Sequence, residues 1–405
     1  MKRISILMAT AFVDMIGFSM IFPLLPFYAL RLDAPEWLIG WMIAIFSVAQ
    51  LSSAPSWGRL SDRWGRRPAI LSGLLAGAAA FTVFGLATSI WMLFLSRLIQ
   101  GIGGGTTGVL QAYVGDSVQP KDRARALGWL TAATSAGVMV GPAIGSLAFN
   151  IGAAAPGLIA AGLCLTNFVF AWRWLPESFP AAQRDSFIGV GPDELETPPR
   201  RPIFQLIAEV VHSPKGQVSR LIWIYAIGML GFMSITSVLA LYMESKFGID
   251  EKTIGIFFVY IGAMGVVMRA LVLGRMVDWI GETHVMRLGA VLLASGMILI
   301  PLPGSVLPLA VFMGLVPMGT ACLFPSVSAL VTHRVSKQEF GQTLSVQQAF
   351  GGMARVIAPI WATAAFQGLG AHVPFYIAAG VAMLVVVMTF RIPPRPVPTG
   401  VPEAV

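Results

Sequence analysis

Charge is what this sequence has least of. Of 405 residues only 11% are charged and 56% are hydrophobic, against roughly 25% charged in a soluble globular chain. A surface facing water on every side cannot be built from so few charges. Cysteine is nearly absent: Cys164 and Cys322 are the only two, and both fall in apolar stretches, which excludes a disulfide framework. The four histidines, His212, His284, His333 and His372, sit at helix ends or in loops. They form no zinc-like cluster, so no metal site is expected and no cofactor is implied. Of the 19 acidic residues, Asp14 alone is placed deep in an apolar helix. An intramembrane paired-aspartate protease needs two embedded acids, and a Ser-His mechanism needs an embedded histidine. Neither set is present, so an enzyme is not expected.

What is abundant is apolar length. Stretches such as Ile4–Tyr28, Leu38–Trp57, Ala69–Ala87 and Val373–Phe390 approach the ~20 residues a helix needs to cross ~30 Å of hydrocarbon. Helices are predicted near 4–30, 38–57, 69–88, 91–115, 125–149, 153–175, 218–245, 252–274, 284–302, 306–331, 341–367 and 372–391. Most of the 43 glycines and 11 of the 27 prolines fall within them, as membrane helices tolerate. Lys2 and Arg3 precede the first run as in a signal peptide. That run is too long for an h-region and lacks a small-x-small site, so an uncleaved first helix is expected.

The net charge of +8 reads as topology rather than as a nucleic-acid surface. With the first helix starting in the cytoplasm, only Arg31, Lys246 and Lys252 fall on the opposite side, and Arg97 and Arg355 stay inside helices. The remaining lysines and arginines collect at cytoplasmic ends, Arg269 and Arg275 among them. That asymmetry places both termini in the cytoplasm.

The expected organisation is a six-helix bundle over 1–175, a cytoplasmic linker over 176–217, a second bundle over 218–391 and a cytoplasmic tail over 392–405. Within the linker, Pro202–His212 alternates at helical spacing, compatible with a short helix on the membrane surface or with a partly ordered link. The halves repeat. GRLSDRWGRRPAILSG at 58–73 aligns with GRMVDWIGETHVMRLG at 274–289, and VGPAI at 140–144 with IAPIW at 357–361. Parallel repeats of this kind are a transporter design, with the substrate near mid-membrane.

Four segments give the sequence a family likeness. GRLSDRWGRR lies between the second and third helices and RLIQG at 97–101 in the fourth. GVMVGPAIG at 137–145 lies in the fifth, and DMIGFSMIFPLLP at 14–26 in the first. Together they resemble the major facilitator superfamily over nearly the whole length, and its drug:proton antiporter branch near the tetracycline-resistance exporters. The resemblance implies an all-α integral membrane fold of twelve transmembrane helices in two pseudo-symmetric bundles. It also implies a multi-pass place in the plasma membrane, expected to be a bacterial inner membrane. The tetracycline-type exporters carry acids in further helices. Here the third (69–88) and ninth (284–302) have none except at their ends, which argues against tetracycline itself.

The residues support roles beside that likeness. Gly58 and Gly65 permit tight turns and close helix approach. Asp62 can sit against a helix N-terminus, where a carboxylate gains ~0.3–1 kcal/mol. Arg63, Arg66 and Arg67 can bind helix-end carbonyls or Asp116. The resemblance implies that this latch stabilises an outward-facing state. The second copy keeps Gly274, Asp278 and Gly281 but has Glu282 and Thr283 in place of Arg66 and Arg67, so a weaker latch is expected there. Gly137, Gly141, Pro142 and Gly145 bend and smooth the fifth helix, and the likeness implies an exporter's motif.

Asp14 lies about 9 residues inside its helix, roughly 14 Å at 1.5 Å per residue. An ionisable group there costs ~2.5–3.5 kcal/mol on insertion scales and is functional by default, so Asp14 is assigned to proton coupling. Arg97 and Arg355 are embedded counter-charges, either able to pair with Asp14. Gln50, Gln100, Gln111 and Gln347 add polar groups to the expected cavity. One acid against two arginines favours a neutral, zwitterionic or anionic amphiphile over a simple cation. The expected function is proton-coupled export of a small molecule by a monomer in the lipid bilayer. A uniporter or importer on the same fold, or a receptor on a transporter scaffold, stands as the alternative.

Overall fold

The computed structural model describes residues 2–119, 122–178, 203–214, 216–336 and 339–393. Most of the linker and nearly all of the tail expected from sequence lie outside these residues. No strand occurs among the described residues, which are helical almost throughout. The helices are α1 (Lys2–Ile21), α2 (Leu25–Arg31), α3 (Glu36–Trp64), α4 (Arg66–Gly85), α5 (Ile90–Gly104), α6 (Thr107–Ser117), α7 (Arg123–Phe149) and α8 (Ala155–Trp174). After the linker come α9 (Ile203–His212), α10 (Gln217–Phe247), α11 (Ile254–Val267), α12 (Leu273–Ile280), α13 (Glu282–Leu299), α14 (Val306–Thr332), α15 (Phe340–Leu369) and α16 (Val373–Phe390).

Among the described residues, 11 helical segments are long and apolar enough to cross a membrane, counting Ile4–Arg31 and Ile254–Ile280 each as one. The remaining expected span is the pair α5 and α6. It is interrupted at Gly105 and Thr106, and neither part is long enough alone. The cause is the glycine run at 101–105, which lets α3 come in to backbone distance. A Cβ on Gly101 would lie 2.5 Å from the Phe46 carbonyl oxygen, and one on Gly105 would run into the Trp57 indole. Elsewhere the interruptions follow proline chemistry. Pro23 and Pro26 have no N–H to donate, and between α1 and α2 the chain tightens into a 3-10 turn over Phe22–Leu24.

By contact the described residues form two compact units. One lies within 1–197 and 240–262, the other within 198–239 and 263–405. In the first, α1 is packed between α7 and α8, and α4 between α5 and α8. Its core gathers Leu7, Ala11, Leu74, Tyr113 and Leu130. In the second, α13 packs against α14 and α16. A separate cluster there joins Val210 of α9 to Ile222, Ala226, Val346 and Phe350.

The short helix expected on the membrane surface therefore exists, but its apolar side is occupied by protein. Trp223 Nε1 donates to the Val210 carbonyl at 3.0 Å, fixing α9 to α10. Large apolar side chains remain outside these cores, Trp91 at 78% and Trp279 at 83% exposure among them. On a chain this poor in charge, lipid is the medium that makes such exposure favourable.

Candidate transport site

The site is built on α1 and the helix that lies along it. Gly137, Gly141 and Gly145 recur every four residues on α7, so they share one face. A Cβ on Gly137 would sit 2.5 Å from the Phe12 carbonyl oxygen and 2.8 Å from Met15 Cβ. On Gly141 it would overlap Ser19 Oγ and come within 2.6 Å of the Ile16 oxygen; on Gly145 it would be 2.5 Å from the Met20 oxygen. Three turns of α7 thus rest on the backbone of α1. Ser19 Oγ donates to the Met15 carbonyl at 2.8 Å and lies 3.2 Å from that of Gly137.

The other side of α7 carries Met139, Pro142 and Ser146. A Cβ on Gly255 would strike the Pro142 carbonyl, and one on Gly262 would be 3.1 Å from Met139 Cα. The Gly255 N–H donates to Ser146 Oγ at 2.9 Å. The fifth-helix motif is therefore smooth toward α1 and accommodates α11 across its other face. At the end of α2, Arg31 pairs with Glu251 and stacks over Phe149 at 4.5 Å.

Asp14 sits on α1 one residue before Met15, half-buried. Around it α1 is fastened by neighbours. Asn167 Nδ2 donates to the Thr10 carbonyl at 2.9 Å, and a Cβ on Gly17 would lie 3.2 Å from Phe81 and 3.5 Å from Cys164 Sγ. Among the described residues Asp14 has no hydrogen-bond or ion-pair partner. Neither embedded arginine supplies one. Arg97 is 3% exposed, with Nε and one terminal nitrogen unbonded and its guanidinium 5.1 Å from the Phe84 ring centre. Arg355 likewise has no partner among the described residues. One turn beyond Arg97, Gln100 is 5% exposed, and both its side-chain polar atoms are unbonded. A buried polar atom without a partner costs about 1–3 kcal/mol, so these two positions hold polar capacity that the chain itself does not use.

The other polar candidates divide. Gln50 Nε2 donates to the Gly104 carbonyl at 3.2 Å, bracing the end of α5. Gln347 is fully buried and donates to Ser328 Oγ at 2.8 Å, leaving its Oε1 unbonded. Gln111 is exposed.

The 58–67 segment forms a network centred on Arg66. Its guanidinium bonds Asp62 at 2.5 Å, Asp116 at 2.9 Å and Ser61 Oγ at 2.6 Å. Arg67 donates to the Trp172 carbonyl. Gly65 has φ of 107° where α3 turns into α4, a conformation that requires glycine.

Three details differ from the sequence expectation. The carboxylate at the α4 N-terminus is Glu177, not Asp62. Its two oxygens accept from the backbone N–H groups of Arg66 at 2.9 Å and Arg67 at 3.2 Å, neutralising two orphan donors. Gly58 is inside α3, and a Cβ there would meet nothing within 4 Å, so close approach is not its reason. Arg63 has no partner among the described residues. In the second copy Gly281 again turns with φ of 77°, but Asp278 is exposed and unpartnered among the described residues. The side-chain contact there is His333 Nε2 to Glu282 Oε1 at 3.1 Å.

Two features were not legible from the sequence. Glu177 follows Pro176 just past α8, and its only signal was an acid at a helix end. Arg269, expected at a cytoplasmic helix end, lies in a π-helical turn over Met268–Val272, 11 residues before the end of the helical stretch Ile254–Ile280.

Repeated apolar spans, with polar groups held between them and left unpaired, define a multi-pass membrane transporter. The chain belongs to the Major Facilitator Superfamily, whose family model matches residues 7–317 and 221–404. Among its relatives is multidrug resistance protein 1 of Bacillus subtilis, 27% identical over 377 residues that span 93% of this chain and 92% of that protein. The class D tetracycline resistance protein of Salmonella ordonez is 28% identical over 89% of this chain and 88% of its own. In fold, the chain is similar to the nucleoside transporter NupG, with a TM-score of 0.77 at 14% identity, covering 96% of this chain and 99% of that one.

Proposed function

We propose that the protein exports a small amphipathic compound in exchange for protons by alternating access. The observation that carries this reading is Asp14: an ionisable side chain on α1, without a hydrogen-bond or ion-pair partner among the described residues, on the side of α1 toward Cys164 of α8 and away from the α7 glycine face. A carboxylate in that place is free to hold a proton in one phase of a cycle and a substrate or an arginine in the other. Each proton moving inward supplies ~2.3 kcal/mol per 100 mV, enough for about a 50-fold substrate gradient. The names of the relatives, multidrug and tetracycline resistance proteins, agree with export of a drug-like compound.

In this reading Arg97, Gln100 and Arg355 supply polar contacts to substrate, and Gln50, Gln111 and Gln347 border the path. The two repeated bundles, 1–175 and 218–391, are the moving bodies. The α7 motif at Gly137, Gly141, Pro142 and Gly145 is the smooth surface along which α1 and α11 lie. The Arg66 network, with Asp62, Asp116 and Glu177, is a latch that biases one conformation. The membrane is expected to be a bacterial inner membrane with both termini cytoplasmic.

The test is uptake into inverted membrane vesicles of a panel of dyes and drugs, driven by an imposed pH gradient, with wild type beside Asp14→Asn. The wild type should accumulate at least one compound in response to the gradient, and the variant should lose the response while still binding that compound. Gradient-driven accumulation that survives in Asp14→Asn would remove Asp14 from coupling.

A further inference from the structure

The joined ends of α10 and α11 are packed away from the rest of their own half of the sequence. Residues 240–262 belong to the first compact unit, together with 1–197, although both helices continue into residues of the second. Three contacts hold this hairpin there. Gly255 and Gly262 lie on Pro142, Ser146 and Met139 of α7, and the Gly255 N–H donates to Ser146 Oγ. Glu251, in the turn between α10 and α11, accepts from the Arg31 guanidinium at the end of α2. That guanidinium lies 4.5 Å from the Phe149 ring centre, and Phe149 stands edge-on to Tyr28 at 5.9 Å.

The charges around the pair are unbalanced. Glu244, near the end of α10, is within electrostatic reach of both Glu251 and Glu36, the first residue of α3. Glu244 and Glu251 belong to the hairpin, whereas Glu36 belongs to the first bundle. Asp250 is occupied within its own turn, accepting from the backbone N–H groups of Lys252 and Thr253, and Lys246 lies 5.4 Å from the Tyr242 ring centre. Like charges at close range repel. Here the repulsion runs across the very contact that Arg31 closes.

The helix α3 begins at Glu36, in this cluster, and ends at Trp64, beside the Arg66 network. The two sets of charges therefore stand at opposite ends of one helix, about 40 Å apart at 1.5 Å per residue. We infer that the Arg31–Glu251 pair is a second latch, which holds the outer side closed against the repulsion among Glu36, Glu244 and Glu251. The inference rests on the alternating-access reading, in which 1–175 and 218–391 move against each other with the start of α1 in the cytoplasm. By sequence the hairpin belongs to one moving body, and it is docked on the other. When the outer side opens, this contact must part.

The experiment measures the distance between spin labels on Thr88→Cys, in the turn between α4 and α5, and Lys252→Cys, in the hairpin, by double electron–electron resonance. Both positions are exposed, and the native Cys164 and Cys322 are buried. The purified full-length protein is used without substrate or proton gradient. A protein that fails the vesicle uptake test can therefore still show the latch, and the two failures are distinguishable. The labelled parent should show a main short distance and a minor longer one. R31Q should raise the longer population by ~5-fold, because it leaves the acids unopposed. E251Q removes one of those acids along with the pair and should raise it by only ~2-fold. R31K should stay within ~2-fold of the parent. Added salt should lower the longer population again in R31Q, because screening weakens the repulsion.

A thermal unfolding transition checks that R31Q is folded. Should it not be, E251Q decides: a raised longer population supports the inference, and an unchanged one overturns it. Distances in folded R31Q equal to those of the parent would overturn it. An increase in R31Q that salt leaves unaltered would overturn it as well, since the arginine would then act through its packing on Phe149.

Discussion

At Gly141 a single hydrogen atom decides how close two helices come. Its α7 position is ordinary helix, so the backbone does not need glycine; the neighbour does, because a methyl there overlaps Ser19 Oγ and lies 2.6 Å from the Ile16 oxygen. Gly141→Ala is therefore expected to separate α1 from α7, costing about 1–3 kcal/mol as overpacking does. The variant should show a lowered melting temperature in detergent and weakened transport. Gly128, on the same helix, supplies the control. A Cβ there meets nothing within 4 Å, so Gly128→Ala should be neutral or slightly stabilising, since alanine is favoured in a helix by up to ~1 kcal/mol. If both substitutions are tolerated alike, the glycine face is not a contact surface. The place of Asp14 within an apolar helix is legible from sequence for a simple reason: a charge in an apolar run stands out whatever surrounds it. Glu177 was not, because an acid just past a helix looks like solvent-facing punctuation until the α4 N-terminus is brought to it in space.

Among the elements, the spans were largely readable because hydrocarbon thickness imposes one length on all of them. What sequence did not show is where a helix departs from regularity. The break at Gly105 and Thr106 arises because α3 arrives there, and the π-turn at Met268–Val272 carries the span past its expected end near residue 274 to Ile280. A hydropathy window averages over both. The short helix α9 has the same lesson in reverse: its alternating pattern fits a membrane surface, and the structure uses the apolar side to grip α10 and α15. Val210→Asp should therefore place a carboxylate among Ile222, Ala226, Val346 and Phe350 and destabilise the second unit. An apparent melting temperature lower by ~3 °C or more in detergent is expected. A helix that merely lay on lipid would lose membrane affinity instead and leave the detergent transition unchanged.

For the whole molecule, the instructive feature is that the sequence repeat is not a repeat of interactions. Both copies of the loop turn on a glycine with positive φ, Gly65 and Gly281, and both place an aspartate three residues earlier, Asp62 and Asp278. In the first unit the aspartate is tied to Arg66, which also holds Asp116, and the following helix is capped by Glu177. In the second, Glu282 occupies the position equivalent to Arg66, so Asp278 has no cation beside it, and the remaining side-chain contact is His333–Glu282. An exposed pair contributes about 0–1 kcal/mol, whereas a connected network around a half-buried arginine is worth more than its separate bonds. If the network is a latch, the two aspartates should therefore differ in effect although their sequence positions correspond. Asp62→Asn should slow the initial rate of gradient-driven uptake into inverted vesicles by ~10-fold, the equivalent of about 1.4 kcal/mol on a conformational step, with substrate affinity preserved. Asp278→Asn should leave the rate within ~2-fold, since it removes no interaction. Equal losses in both variants would mean that the aspartates act through something other than the Arg66 network, and loss of substrate binding in Asp62→Asn with normal expression would mean that the network shapes the site rather than the switch.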